Sequence, residues 1–153
     1  MANSITVTVY VACIWLCFSG EALCSTPEGR AEIVVQQALV PRETGIFAGS
    51  RDAYAKLYVD GSYLGRTKVI DDTHTPAWNE TFYTGPIRSD AKIRIALWDK
   101  DYLSADDYMG STTVTPREVL DKNLNNTHYV REFPHGFIQF KLTWYPCKNN
   151  VCF

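Results

Sequence analysis

The chain has 153 residues, of which 46% are hydrophobic, 21% charged and 13% aromatic, and this composition excludes a disordered or low-complexity protein. The length fits one domain with a sizeable core. The formal net charge is −2, so the chain lacks the cationic field that grips nucleic acid, and we expect no nucleic-acid partner.

The first segment of the chain is an apolar run without charged side chains, over residues 5–18. A membrane-spanning helix needs about 20 such residues, so this run is short for one. The small residues Gly20 and Ala22 suit cleavage by signal peptidase after Ala22. We therefore expect a signal peptide at residues 1–22, a single domain at residues 23–153, and a secreted, extracellular product. A buried core strand is the alternative for the apolar run.

The chain has five cysteines. Cys13 and Cys17 belong to the expected signal peptide, and Cys24, Cys147 and Cys152 remain in the mature chain. An odd number in an oxidising compartment leaves one thiol free or paired with another chain. A bridge from Cys24 to the C-terminal tail and a Cys147–Cys152 bridge both stay open. A disulfide-linked dimer or another protein partner is open in the same way.

After the leader, apolar and polar residues alternate with a period of two, which is typical of strands with one buried face. The clearest segments are 54–59, 92–97 and 138–144. Weaker candidates are 31–39, 63–70, 79–84, 108–114 and 127–133. Turn signals separate these segments, so we predict an all-β fold, an eight-stranded antiparallel β-sandwich. Thr115-Pro116 predicts a single helical turn, with a capping residue before proline at the first helical position.

Two glycosylation sequons occur along the chain, Asn79-Glu80-Thr81 and Asn125-Asn126-Thr127. A three-residue pattern of this kind often arises by chance, so each is weak alone. Asn125 lies in a polar stretch typical of a loop and is the better candidate. Asn79 lies at a predicted strand start, where a glycan is more awkward.

An acidic segment runs from Trp98 to Gly110 and holds Asp99, Asp101, Asp106 and Asp107. Aspartates packed so closely repel one another unless a cation lies between them. Hard oxygen ligands in this number suit Ca²⁺, which takes 6–8 oxygens at flexible angles. The spacing is not that of an EF-hand, since flanking helices and the glutamate at the twelfth position are absent. A solvated turn is the structural alternative.

Four motifs occur in the order and at the spacing of a C2 domain, which the chain resembles over about residues 31–145. They are Asp52-Ala53-Tyr54-Ala55-Lys56-Leu57-Tyr58-Val59, Thr75-Pro76-Ala77-Trp78-Asn79-Glu80-Thr81-Phe82, Ile95-Ala96-Leu97-Trp98-Asp99-Lys100-Asp101 and Asp107-Tyr108-Met109-Gly110. Within that family the chain is most similar to the membrane-binding C2 module of the perforins. The resemblance implies a sandwich that binds Ca²⁺ through loop aspartates and then attaches to phospholipid.

The resemblance also implies which residues hold the metal. The matching positions are Asp52, Asp99, Asp101, Ser104 and Asp107. The first loop departs from the family pattern, since Ile46 stands where another aspartate is usual. Whether Glu43 replaces that aspartate stays open. One missing carboxylate implies weaker affinity or fewer ions, which an extracellular module working at about 10⁻⁴–10⁻³ M Ca²⁺ tolerates.

Apolar side chains of the loops are the candidates for contact with a membrane. They are Ile46 and Phe47 on the first loop, and Tyr102 and Leu103 on the third. Bound Ca²⁺ then lets phosphate oxygens approach, and the protein is peripheral to the membrane while the metal is bound. The alternative function is an extracellular interaction or structural sandwich in which Ca²⁺ only stabilises the loops or is not bound.

Two further groups of residues bear on function. Lys56, Arg66 and Lys68 form either a basic strand face for acidic lipids or a merely solvated face. The three histidines lie far apart in turn-like segments, and the sequence has no nucleophile elbow or phosphate-cradling glycine loop. We therefore expect no catalytic residues and no enzymatic activity.

Overall fold

The computed structural model describes residues 26–40, 51–133, 136–148 and 152, in which nine strands and one helix follow one another. In chain order the elements are β1 (Glu28–Leu39), β2 (Ala53–Val59), β3 (Ser62–Arg66), β4 (Ala77–Tyr83), β5 (Ile87–Arg88), β6 (Ile93–Asp99), β7 (Asp107–Val114), α1 (Pro116–Asp121), β8 (Thr127–Phe133) and β9 (Gly136–Pro146). The predicted all-β class is confirmed.

The strands form two antiparallel sheets, as predicted. One sheet has the order β4-β1-β9-β8, with β5 also paired to β1, and the other has the order β3-β2-β6-β7. The predicted number of eight strands is wrong, because β5 is a ninth. Its two residues pair with Glu28 and Gly29 of β1. A strand of two residues is too short to produce a periodic pattern, so the sequence carries no signal for it.

The core lies between the sheets and consists of the apolar positions that the alternation assigned to buried faces. Buried members from the three clearest segments are Ala55, Leu57, Ile93, Ile95, Leu97, Ile138, Phe140, Leu142 and Trp144. The polar positions between them point to the outer faces, since successive side chains of a strand alternate. Because a register slip of one residue would reverse the two faces, this core fixes how the strands pair.

The helix begins where Thr115-Pro116 predicts. The Thr115 hydroxyl accepts a hydrogen bond from the Glu118 backbone N–H at 3.1 Å, and Pro116 is the first helical residue. The helix has six residues, so it is somewhat longer than the predicted single turn. Val119 is buried and anchors it to the core. α1 follows β7 and therefore lies at the end of the sandwich opposite to the start of that strand.

Strand pairing gathers several connections at the other end of the sandwich. Ala53 at the start of β2 is paired with Asp99 at the end of β6, which in turn is paired with Asp107 at the start of β7. Ala53 also forms an isolated bridge with Ile70. Arg51 and Asp52, the connection 67–76 and the connection 100–106 are therefore neighbours. We call these residues together the loop end, and the connection 100–106 the acidic loop.

The C-terminal tail settles the pairing of two cysteines, since Cys147 and Cys152 form a disulfide. Cys24 and the expected signal peptide at residues 1–22 lie outside the described residues, as do Glu43, Ile46 and Phe47 of the first loop. In the part of the chain that the structure describes, no helix combines the length and the apolar character needed to cross a bilayer.

Replacement of Leu57 by alanine is expected to destabilise the fold by about 2–5 kcal/mol, because it leaves a cavity between the sheets. The side chain of Leu57 is 0% exposed. The same change at Leu103, which is 103% exposed, removes no packing and is expected to stay within about 0.5 kcal/mol. Urea unfolding measures both values, and equal losses from the two variants would contradict the assignment of the core.

Candidate functional site

The loop end brings together three of the aspartates that the sequence predicts as metal ligands. Asp52 directly precedes β2, Asp99 ends β6 and Asp107 begins β7. Antiparallel pairing places these ends side by side, because Ala53 is opposite Asp99 and Asp99 is opposite Asp107. Residues that are far apart in the chain therefore lie at the same end of the sheet, on adjacent strands.

Asp99 is the most enclosed of these acidic residues, and protein donors occupy both of its oxygens. Arg51 Nη1 lies 2.7 Å from Asp99 Oδ2 and forms an ion pair with it. The Asp52 backbone N–H donates to Asp99 Oδ1, with an N–O distance of 2.7 Å. The Arg51 and Asp99 side chains are only 15% and 8% exposed, so solvent screens this pair less than a surface ion pair.

Residues 51 and 52 also connect the two neighbouring loops. The Asp52 carboxylate accepts from the Asp72 backbone N–H at 2.9 Å, while its carbonyl oxygen accepts from the Lys100 backbone N–H at 2.9 Å. The Arg51 carbonyl oxygen accepts from the Thr73 backbone N–H at 3.0 Å. The segment before β2 is thus held between the connection 67–76 and the acidic loop.

Asp106 forms a second acidic centre within the acidic loop. Its carboxylate accepts hydrogen bonds from Lys100 Nζ at 2.8 Å, from the Asp101 backbone N–H at 3.3 Å, and from the Tyr54 hydroxyl. The Lys100 ammonium, followed by the Tyr54 hydroxyl, holds the pKa of Asp106 well below its usual range. Burial, with a further contribution from Asp106, raises the pKa of Tyr54 well above its usual value.

The predicted ligands share one end of the sandwich but do not converge on one point. Asp101 is half-buried, whereas Ser104 and Asp107 are exposed. Within the described ranges, no three acidic, histidine or cysteine side chains are grouped so that they could hold a metal ion. The carboxylates suit Ca²⁺ in kind, but they are not grouped around one point, and Asp99, the most enclosed of them, is paired with Arg51.

Two large side chains project from the acidic loop. Tyr102 is 77% exposed and Leu103 is 103% exposed, next to the carboxylates of the same loop. Adjacent side chains with this exposure bury little surface in the fold and are available to an external apolar phase.

Two of the three residues of the candidate basic face, Lys56 and Arg66, lie on the outer side of the β3-β2-β6-β7 sheet, where they cover aromatic rings. Lys56 Nζ is 4.1 Å from the Trp98 ring centroid, and the Arg66 guanidinium carbon is 5.5 Å from the Tyr54 ring centroid. Lys68 is exposed, and its backbone N–H donates to Glu80 Oε1. These contacts explain how Tyr54 is buried on an outer face.

The two sequons have different surroundings. Asn79 is exposed on β4, at the edge of its sheet, with a backbone φ of 52°. The Asn125 side chain is engaged with the backbone of Trp144, from which Oδ1 accepts at 2.6 Å and to which Nδ2 donates at 3.4 Å. Both asparagines are exposed, and glycosylation at either position stays a prediction.

The sequence indicated the aspartates of the loop end but not the groups that balance their charge. Arg51 and Lys100 are the chain neighbours of Asp52 and Asp99, so their presence near the site was visible in the sequence. Their partners were not visible, because Arg51 pairs with Asp99, 48 residues away, and Asp106 accepts from Tyr54, 52 residues away. Asp72 of the connection 67–76 was also overlooked.

Comparison with known proteins decides the family. The family model of the C2 domain matches residues 29–131. The chain belongs to the C2 domain family. This C2 domain is 28% identical to Perforin-1 of Mus musculus over 76% of the chain, and 23% identical to Tricalbin-1 of Saccharomyces cerevisiae over 94% of it. It spans only 20% and 13% of the length of these two relatives.

Solved structures agree with this assignment. The calcium-bound C2A and C2B domains of Extended-Synaptotagmin 2 align with a TM-score of 0.63 and 26% identity, covering 78% of this C2 domain and 46% of that chain. The C2A domain of plant Extended Synaptotagmin 1 aligns with a TM-score of 0.64 and 19% identity, covering 80% and 98% of the two chains, and this likeness concerns the fold.

Replacement of Tyr54 by phenylalanine is expected to raise the pKa of Asp106, because the carboxylate loses the hydroxyl that stabilises its charged form. Carboxyl ¹³C NMR titration in calcium-free buffer measures this value. The folded-state pKa lies below the unfolded value of about 4, so Asp106 stabilises the fold above about pH 4, and this contribution is lost as the pH falls further.

The matched control is Tyr108→Phe, which removes a hydroxyl that donates to Ser111 Oγ at 2.8 Å rather than to Asp106. The pKa of Asp106 should stay unchanged in this control. An unchanged pKa in Tyr54→Phe as well would contradict the described hydrogen bond.

Proposed function

We propose that this C2 domain binds Ca²⁺ at the loop end and attaches to phospholipid membranes while the metal is bound. The observation that carries the proposal is the strand register that places Asp52, Asp99 and Asp107 side by side, next to the exposed Tyr102 and Leu103. Carboxylates of a kind that suits a divalent cation, and exposed apolar groups that suit a membrane, thus occur at one end of the sandwich.

The residues that would hold Ca²⁺ are Asp52, Asp99, Asp101 and Asp107, with Ser104 as a further oxygen donor. Bound Ca²⁺ supplies positive charge and open coordination positions for lipid phosphate oxygens. Without it, the aspartates repel anionic headgroups. Since Ile46 replaces a usual first-loop carboxylate, the affinity suits extracellular calcium better than the lower concentrations of the cytosol.

Tyr102 and Leu103 would enter the membrane interface, joined by Ile46 and Phe47 of the first loop. Leucine gains free energy from burial among acyl chains, and tyrosine suits the interface because its ring is apolar and its hydroxyl stays hydrated. Both side chains of the acidic loop are already exposed, so no refolding is needed before contact.

An extracellular location fits the chain best. The apolar run at residues 5–18 and the Cys147–Cys152 disulfide both suit a secreted protein, because disulfides persist in oxidising compartments. In this proposal the chain is a non-catalytic module, glycosylated at Asn79 or Asn125, and Cys24 is available for a bond to another chain.

Replacement of Asp99 and Asp101 by asparagine is expected to abolish calcium-dependent attachment, because it removes two anionic ligands without a large change in volume. Sedimentation with phosphatidylserine and phosphatidylcholine vesicles, in millimolar Ca²⁺ and then in chelator, measures attachment. The control is Asp90→Asn plus Asp121→Asn, which removes two negative charges from the end of the sandwich opposite to the loop end.

The control is expected to sediment as the wild type does. Attachment that is equal with and without Ca²⁺ in the wild type would reject the proposed mechanism. A calcium-dependent rise in melting temperature without any attachment would favour the alternative, in which the metal only stabilises the loops.

Replacement of Tyr102 and Leu103 by serine is expected to leave calcium binding intact and to weaken vesicle attachment by at least about tenfold, because apolar contact with the membrane is lost. Calorimetric calcium titration and vesicle sedimentation measure the two properties separately. Tyr63→Ser, at an exposed tyrosine near the opposite end, is the control and should leave both unchanged. Equal attachment by all three proteins would show that these loop side chains do not contact lipid.

A further inference from the structure

Arg51 is a basic residue among the acidic residues of the loop end, and a set of calcium ligands does not require a basic residue there. It belongs to the same short segment as Asp52, yet its guanidinium reaches across to β6 and donates to Asp99 Oδ2 at 2.7 Å. The partner is the least exposed of the predicted metal ligands, at 8% for the side chain. A positive charge of the protein is thus in direct contact with a carboxylate that Ca²⁺ would need.

We propose that Arg51 is a tethered counter-cation that competes with Ca²⁺ for Asp99, and so sets the calcium concentration at which the loop end loads. This inference rests on the proposed function, because it concerns the same carboxylates. Charge-assisted hydrogen bonds between guanidinium and carboxylate are strong, and this one is mostly shielded from solvent. While Asp99 Oδ2 keeps its bond to Arg51, one lone pair of that oxygen and part of the carboxylate charge are engaged and offer less to a metal ion.

The competition follows from charge as well as from contact. A guanidinium beside Asp99 repels an incoming divalent cation at the end of the sandwich where the proposed ligands lie. Removal of the metal leaves Asp99 with a partner, so the loop end does not depend on Ca²⁺ to relieve repulsion at this position. The Arg51–Asp99 ion pair therefore stabilises the metal-free form and, for the same reason, opposes binding of Ca²⁺.

The other ion pair of the loop end does not act in the same way. Lys100 Nζ contacts the Asp106 carboxylate at 2.8 Å and the Asp101 carbonyl oxygen at 2.9 Å. Asp106 is not among the predicted ligands, and the Asp101 contact uses the backbone. Arg51 is therefore the side-chain cation that occupies a carboxylate of the proposed ligand set in the described part of the loop end.

The test is calorimetric titration of the purified chain with CaCl₂, comparing the wild type with Arg51→Gln and Arg88→Gln. Arg88 is the matched control, because it also forms an arginine–aspartate pair, with Asp90 at 2.6 Å, and its removal changes the net charge equally. That pair lies far from the loop end. Arg51→Gln is expected to bind Ca²⁺ more tightly by on the order of tenfold, while Arg88→Gln matches the wild type.

Two further measurements separate competition from a supporting role. The melting temperature of Arg51→Gln in chelator should fall below that of the wild type, since Asp99 loses its partner, and Ca²⁺ should raise it by more than it raises the wild type. In the wild type, the ¹H–¹⁵N signal of the Arg51 guanidinium should shift during the calcium titration, while that of Arg88 stays in place. Both measurements remain informative if the variant is less stable.

The outcomes are distinct. Tighter binding by Arg51→Gln supports the inference, as does binding by this variant when the wild type shows none. Equal or weaker binding by the variant overturns it, because Arg51 would then be neutral or would position Asp99 for the metal. Absence of calcium binding from both proteins overturns the proposed function itself, and the inference with it.

Discussion

The loop end depends on how the repulsion between its carboxylates is balanced. The pairing of β2, β6 and β7 places Asp52, Asp99 and Asp107 at one edge, and the acidic loop adds Asp106. In the described residues each of the two most engaged carboxylates has a cation of the same chain, Arg51 for Asp99 and Lys100 for Asp106. Backbone N–H groups satisfy the remaining oxygen of Asp99 and one oxygen of Asp52. The charge balance is thus local and specific to each side chain.

The hydrophobic core makes this balance possible. Leu57 and Ile95 face the inside of the sandwich at paired positions of β2 and β6, and a slip of one residue would turn both towards solvent. The same register brings Ala53 opposite Asp99. The free energy of burial therefore determines which acidic residues become neighbours, although none of them contributes to the core. Core packing determines the strand register, and the register determines which acidic residues at the strand ends lie next to one another.

The sequence was informative where a pattern is local and repeated. Alternation predicted the long strands and the core, and the Thr115-Pro116 pair predicted the start of α1. It was uninformative where the partner is distant: the Arg51–Asp99 pair spans 48 residues and depends on a register that no single segment encodes. The bonds between Asn125 and Trp144, 19 residues apart, depend in the same way on the folded chain. The two-residue β5 is too short for any period to reveal.

Under the proposed function, the control exerted by calcium is electrostatic. Tyr102 and Leu103 are already exposed beside paired carboxylates, so loading with metal does not have to uncover an apolar surface. Binding of Ca²⁺ changes the charge of the loop end that faces an anionic membrane. The aspartates alone repel lipid headgroups, whereas bound Ca²⁺ attracts them. Arg51 acts on the same charge. It lowers the negative charge of the metal-free loop end, and it raises the calcium concentration at which Ca²⁺ replaces it beside Asp99. A single arginine–aspartate contact can therefore tune the response without any change in the sandwich that supports it.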